Sequence, residues 1–120
     1  MSRAPHHRLM AWQLARGLSE EVMALAAMLP DEFGTLGRQI DRAALASLRA
    51  IEDGAAASIP ARRASSFGAA RGELAELEAS LDAFELLGLG PTGDLRERAD
   101  RIGDLLTGLV DRAGIERAAF

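Results

Sequence analysis

Residues 67–84 read Phe67-Gly68-Ala69-Ala70-Arg71-Gly72-Glu73-Leu74-Ala75-Glu76-Leu77-Glu78-Ala79-Ser80-Leu81-Asp82-Ala83-Phe84, and Phe67, Ala70, Leu74, Leu77, Leu81 and Phe84 recur in steps of three or four. A helix turns about 100° per residue, so these steps keep all six on one side. Three other segments carry the same kind of stripe. The first predicts a helix over about 7–29 with its seam at Ala11, Ala15, Leu18, Val22, Leu25 and Leu29, stopped by Pro30. The second, over about 35–54, shows Leu36, Ile40, Ala44, Leu48 and Ile51, with Asp31 or Thr35 as its cap and Gly54 as its end. The fourth, over about 94–114, shows Leu95, Ala99, Ile102, Leu106, Leu109 and Ala113, capped by Asp94.

Pro60 suits the first turn of the third helix, expected over about 60–87, because Ile59-Pro60 disfavours helical geometry at Ile59. The stretch 55–60 reads as helix by its alanines and as loop by this proline. Gly88, Gly90, Pro91 and Gly93 mark the last turn. Such short connections cannot carry the chain back along a helix, so the expected fold is all-α, an up-down-up-down antiparallel four-helix bundle forming one domain. Within the third helix, Gly68 and Gly72 sit four apart, a spacing that suggests close approach by a neighbouring backbone.

Composition narrows the function classes. All fourteen basic residues are arginine, the formal charge is −4 and there is no cysteine. Thiolate ligands, nucleophiles and disulfides are thereby excluded, and a wholly basic nucleic-acid-binding surface is disfavoured. No apolar run reaches the roughly 20 residues that span a bilayer, and the first residues do not resemble a secretory leader. A cytoplasmic protein with no membrane partner is expected. Residues 1–18 hold three arginines and no acid, whereas 76–94 hold Glu76, Glu78, Asp82, Glu85, Asp94 and no base. That asymmetry suits head-to-tail contacts between copies as readily as nucleic acid.

No reaction centre can be assembled. His6 and His7 are adjacent and point about 100° apart on a helix, with no Glu-x-x-His pair to hold a metal. The serines lie in or beside helices without a histidine placed as base, and Glu76 and Glu78 fall on different faces. The Gly88-Leu89-Gly90-Pro91 run follows no strand and its proline lacks an amide for phosphate. No catalytic, cofactor or metal residue and no small-molecule substrate are therefore expected.

Two surfaces do invite partners. Trp12, Leu14, Met23 and Met28 add apolar surface outside the first helix's seam and are candidate contacts with further copies of the chain. For Trp12, a place in the chain's own core is the competing reading. Arg38, Arg42 and Arg49 fall within about 40° of one another on the second helix and could grip phosphates. Asp41 and Glu52 border them, which favours an ion-paired subunit contact or a solvated face.

Specific strings add a family likeness. Leu9-Met10-Ala11-Trp12-Gln13-Leu14-Ala15, Leu29-Pro30-Asp31-Glu32, Gln39-Ile40-Asp41-Arg42-Ala43-Ala44-Leu45, Ile51-Glu52-Asp53-Gly54 and Ala70-Arg71-Gly72-Glu73-Leu74-Ala75-Glu76-Leu77-Glu78 follow in an order and spacing that resembles the bacterial four-helix-bundle protein family. That family includes proteins encoded in intervening sequences of large-subunit ribosomal RNA genes. The resemblance implies an up-and-down bundle and a ring-like homopentamer. A more distant relative is the accessory variability determinant of diversity-generating retroelements, which binds nucleic acid and a reverse transcriptase. Where relatives carry a Ser-Ile-Pro-Ser-Asn run, this chain has Ser47-Leu48-Arg49-Ala50, and Ala55-Ala56-Ala57-Ser58 replaces a basic Gly-Arg-Arg-Ser segment. The lost charges weaken the nucleic-acid expectation, while Arg42, Gly54, Arg71, Gly72 and Glu76 are retained. The sequence thus predicts a non-enzymatic, homo-oligomeric scaffold or adaptor, with a nucleic-acid-binding accessory protein, partnering a reverse transcriptase, as the alternative.

Overall fold

The computed structural model describes residues 4–118. Four α-helices follow one another with no strand among the described residues: α1 (Met10–Ala27), α2 (Gly34–Ala56), α3 (Pro60–Leu86) and α4 (Gly93–Ala118). Short 3-10 turns occupy Pro5–Arg8 and Asp31–Phe33. Cross-helix partners run in opposite senses at every seam. From α1 to α2, Trp12 meets Glu52, Ser19 meets Ala44 and Ala26 faces Gly37. From α3 to α4, Arg63 meets Glu116, Arg71 meets Thr107 and Leu81 meets Thr92. Each helix touches its two neighbours, while α1 and α3, like α2 and α4, do not touch across the diagonal. The molecule is an antiparallel four-helix bundle.

The stripe that predicts α3 is its buried face: Phe67, Ala70, Leu74, Leu77, Leu81 and Phe84 all lie in the core. Ile40, Ile51, Leu18, Val22, Ile102 and Leu106 meet them from the other helices. Fully burying a Leu or Ile side chain contributes about 1.5–3 kcal/mol, so this aliphatic stack holds the bundle together without large aromatic layers. The two buried serines are satisfied locally, since Ser47 Oγ donates to Ala44 O at 2.8 Å and Ser19 Oγ reaches the same carbonyl from α1.

Several expected boundaries shift. The first helix does not begin at His7: the 3-10 turn ends in extended backbone at Leu9, and Gln13 reaches back to donate to His7 O at 2.8 Å. Its last turn stops at Ala27, two residues before Leu29. Gly54 does not end α2, because its φ is not positive and the alanines carry the helix on to Ala56; Ala57 is then extended ahead of Ile59-Pro60. Neither Asp31 nor Thr35 caps α2, whose N-cap position is Phe33. Asp94 falls inside the first turn of α4 instead of before it.

The glycine expectation moves to a different residue. A Cβ on Gly68 or Gly72 would meet nothing within 4 Å, since both face away from the core. Gly54 is the site of close approach, because a Cβ there would lie 2.6 Å from Phe67 Cε1. Absence of a side chain on α2 is what lets the Phe67 ring sit between the two helices. At the far end, Gly88 with φ +76° supplies the left-handed residue that closes α3, and Leu89 N donates to Phe84 O at 3.1 Å.

Candidate interaction surfaces

Thr92 shows how the α3–α4 connection is locked. Its side chain is buried, with the hydroxyl 3.0 Å from both Leu81 O and Glu85 Oε1. Glu85 also accepts from Thr92 N and pairs with Arg96 at 3.0 Å. The Thr92 amide, then the Arg96 side chain, hold the Glu85 carboxyl below its ordinary range. Seven residues earlier, Glu78 is pushed the other way, first by burial and then by the negative charge of Asp100. Arg71 donates to Thr107 Oγ1 at 3.1 Å further along the same seam.

The seam between α1 and α4 is much thinner. Helix α1 has 18 residues against 26 in α4, and the Pro5–Arg8 turn leads the chain toward α2, so α4 loses its neighbour past Met10. A groove of about 320 Å³ opens there, lined by Leu9, Met10, Ala11, Leu105, Gly108 and Leu109 with Asp104 and Arg112 at its edge. The ion pair of Glu21 with Arg98 closes the seam nearer the other end. Arg98 therefore crosses to α1 and does not pair with Asp94 along its own helix.

The four candidate self-association residues do not form one patch. Trp12 and Met23 lie on the flank of α1 that faces α2, where Trp12 Nε1 donates to Glu52 Oε2 at 3.0 Å. The His6 and His7 rings pack on the indole at 4.6 and 5.1 Å, and the Arg16 guanidinium lies 5.8 Å from its centre. Leu14 lies on the opposite flank beside Arg98, Arg101 and Ile102. Met28, just past α1, is 83% exposed and shares its end of the bundle with Leu86, 81% exposed, and Leu87. Leu86 and Leu87 are a feature that stripe counting misses, because they continue α3 past its last core residue.

Arg38, Arg42 and Arg49 do share the outward face of α2, all exposed. Arg42 is committed to α3: it donates to Glu73 at 3.0 Å and pairs with Glu76, and these carboxylates raise its pKa further. Arg38 donates only to Thr35 Oγ1 at 3.1 Å, and Arg49 forms no ion pair among the described residues. Of the two bordering acids, Glu52 is taken by Trp12 and Asp41 keeps one buried oxygen without a partner. Among the described residues no three metal-binding side chains lie together, and no helix is long and apolar enough to cross a membrane.

The sequence model of the 23S rRNA-intervening sequence proteins matches residues 7–108, which span all four helices. The chain belongs to that family. No curated protein matches it with significant similarity. In this intervening-sequence protein, three of the residues that carried the likeness make contacts between helices: Arg42 pairs with Glu76 of α3, Gly54 admits Phe67, and Arg71 bonds Thr107 of α4.

Proposed function

We propose that this intervening-sequence protein is a non-enzymatic, self-associating bundle that serves as a scaffold or adaptor in the cytoplasm. The observation that carries this reading is the apolar surface the bundle leaves uncovered. Met28, Leu86 and Leu87 are exposed at one end of the bundle, and the Leu9–Met10 side of the α1–α4 groove remains open to solvent. Exposed apolar surface of this kind favours association over a solitary subunit. The ring-like homopentamer implied by the family likeness agrees with it, and exposed Arg38, Arg49, Asp100, Asp104 and Asp111 form no ion pair among the described residues. Light scattering coupled to size-exclusion chromatography tests the reading: a single oligomeric mass at micromolar concentration is expected, and a strict monomer overturns it.

A second reading rests on Arg38 and Arg49, which have no carboxylate partner among the described residues and could contact phosphates as part of a nucleic-acid-binding accessory protein. Counterion release makes such binding fall steeply with salt. Fluorescence polarisation with single- and double-stranded oligonucleotides at low and high salt checks it, and no affinity at low salt removes it.

A further inference from the structure

Two faces of the bundle carry opposite charge at matched spacing. On α2 the exposed arginines are Arg38, Arg42 and Arg49, separated by four and then seven residues. On α4 the exposed aspartates Asp100, Asp104 and Asp111 repeat the same two intervals. Each set spans roughly 16 Å at about 1.5 Å per residue, and each stays within about 40° on its helix. The two helices are diagonal in the bundle and do not touch, so no arginine of this set can reach an aspartate of the other within one chain.

We propose that these faces are the two halves of one contact between copies of this chain: α2 of one copy lies alongside α4 of the next, with Arg38 facing Asp100 and Arg49 facing Asp111. This inference deepens the self-association proposed above and depends on it. Only one register sets all three arginines against aspartates. Shifting by three residues sets Arg42 against Arg101, shifting by four leaves one pair, and an antiparallel arrangement leaves at most two. The register is parallel, and both helices run the same way through the bundle, so neighbouring copies share one orientation and are related by rotation about an axis along the helices. Leu45, 52% exposed between the arginines, comes to the side of α4 where Gly108 leaves room.

The aspartate stripe leans toward α3 by roughly 30° from the direction opposite the α4 core, as the nearness of Asp100 to Glu78 also shows. The two contact directions are therefore not diametrically opposed. Successive copies joined by this contact turn toward α3. Arg42 keeps its bonds to Glu73 and Glu76 while its guanidinium lies at the level of Asp104, which an antiparallel register would set against the apolar Leu45; Arg38 and Arg49 reach furthest across.

The test is charge reversal in the full chain. Arg38→Glu with Arg49→Glu should drop the mass measured by light scattering from oligomer to monomer at a concentration where the unaltered protein is fully assembled. Asp100→Arg with Asp111→Arg should do the same. All four reversals in one chain should restore assembly. Circular dichroism controls for folding, and all four side chains are exposed. If the unaltered chain is a monomer, the self-association reading itself fails; if it is an oligomer that either double variant leaves intact, only this contact fails. Loss of oligonucleotide binding by Arg38→Glu with Arg49→Glu, with the oligomer unchanged, would assign the arginines to nucleic acid and likewise overturn the contact.

Discussion

Helix α4 has two neighbours and is held very differently by each. Against α3 it is locked by the buried Thr92 hydroxyl, the Glu85–Arg96 pair and the Arg71–Thr107 bond, over a continuous aliphatic core. Against α1, beside the shared core, it has one ion pair among the described residues and an open groove. The difference arises from chain length and direction. A short first helix preceded by a turn that folds onto α2 leaves the last turns of α4 with no neighbour on that side among the described residues. A bundle can thus be stable through three of its seams and keep the fourth available.

The largest test of this asymmetry deletes apolar volume on each side. Leu81→Ala, at a fully buried position, should lower unfolding free energy by about 2–5 kcal/mol, and Leu105→Ala at the groove by less than about 2 kcal/mol. Equal losses in urea denaturation would contradict the contrast between the seams. Next in size is a pair of glycine substitutions with opposite signs. Gly54→Ala should destabilise by about 1–3 kcal/mol because the added Cβ strikes Phe67, and Gly72→Ala should stabilise by about 0.5–1 kcal/mol because it meets open space on a helix. Combining Gly54→Ala with Phe67→Leu should recover part of the first loss.

A smaller effect is expected at the locked connection, where Thr92→Ala should cost about 1 kcal/mol while Thr92→Ser keeps most of the hydroxyl's contribution. Smallest are the two glutamates of α3 that face α4. Glu85 is held below its ordinary range, so it adds stability above its unfolded pKa that is lost as pH falls through its folded one. Glu78 is raised, so its contribution is present below its unfolded pKa and lost as pH rises through its folded one. Urea midpoints between about pH 3 and 7 should show less acid loss for Glu85→Gln and a slight neutral-pH gain for Glu78→Gln.

Which parts of this were readable beforehand follows from range of interaction. The periodic stripes identify all four helices because a core face leaves its mark every three or four residues, and the buried set of α3 matches its stripe member for member. Helix ends are set by single hydrogen bonds and backbone angles, such as the extended Leu9 and Ala57, which composition does not encode. Gly68 and Gly72 look like a contact motif in one dimension, but only the phase of α3 shows that they face outward. The arginine face of α2 was legible from spacing; the fate of Arg42 was not, since Glu73 and Glu76 lie more than thirty residues away. The aspartates of α4 repeat the arginine intervals, a signal that emerges only when the two helices are compared.

The lone tryptophan has a practical corollary. Trp12 joins the start of α1 to Glu52 near the end of α2 and is the indole on which both imidazoles rest. Its emission consequently monitors a single corner of the molecule, where the first turn docks, while far-ultraviolet ellipticity averages over every helix. If that corner comes loose before the rest melts, the two optical signals will part company, and the chain will have supplied its own site-specific reporter.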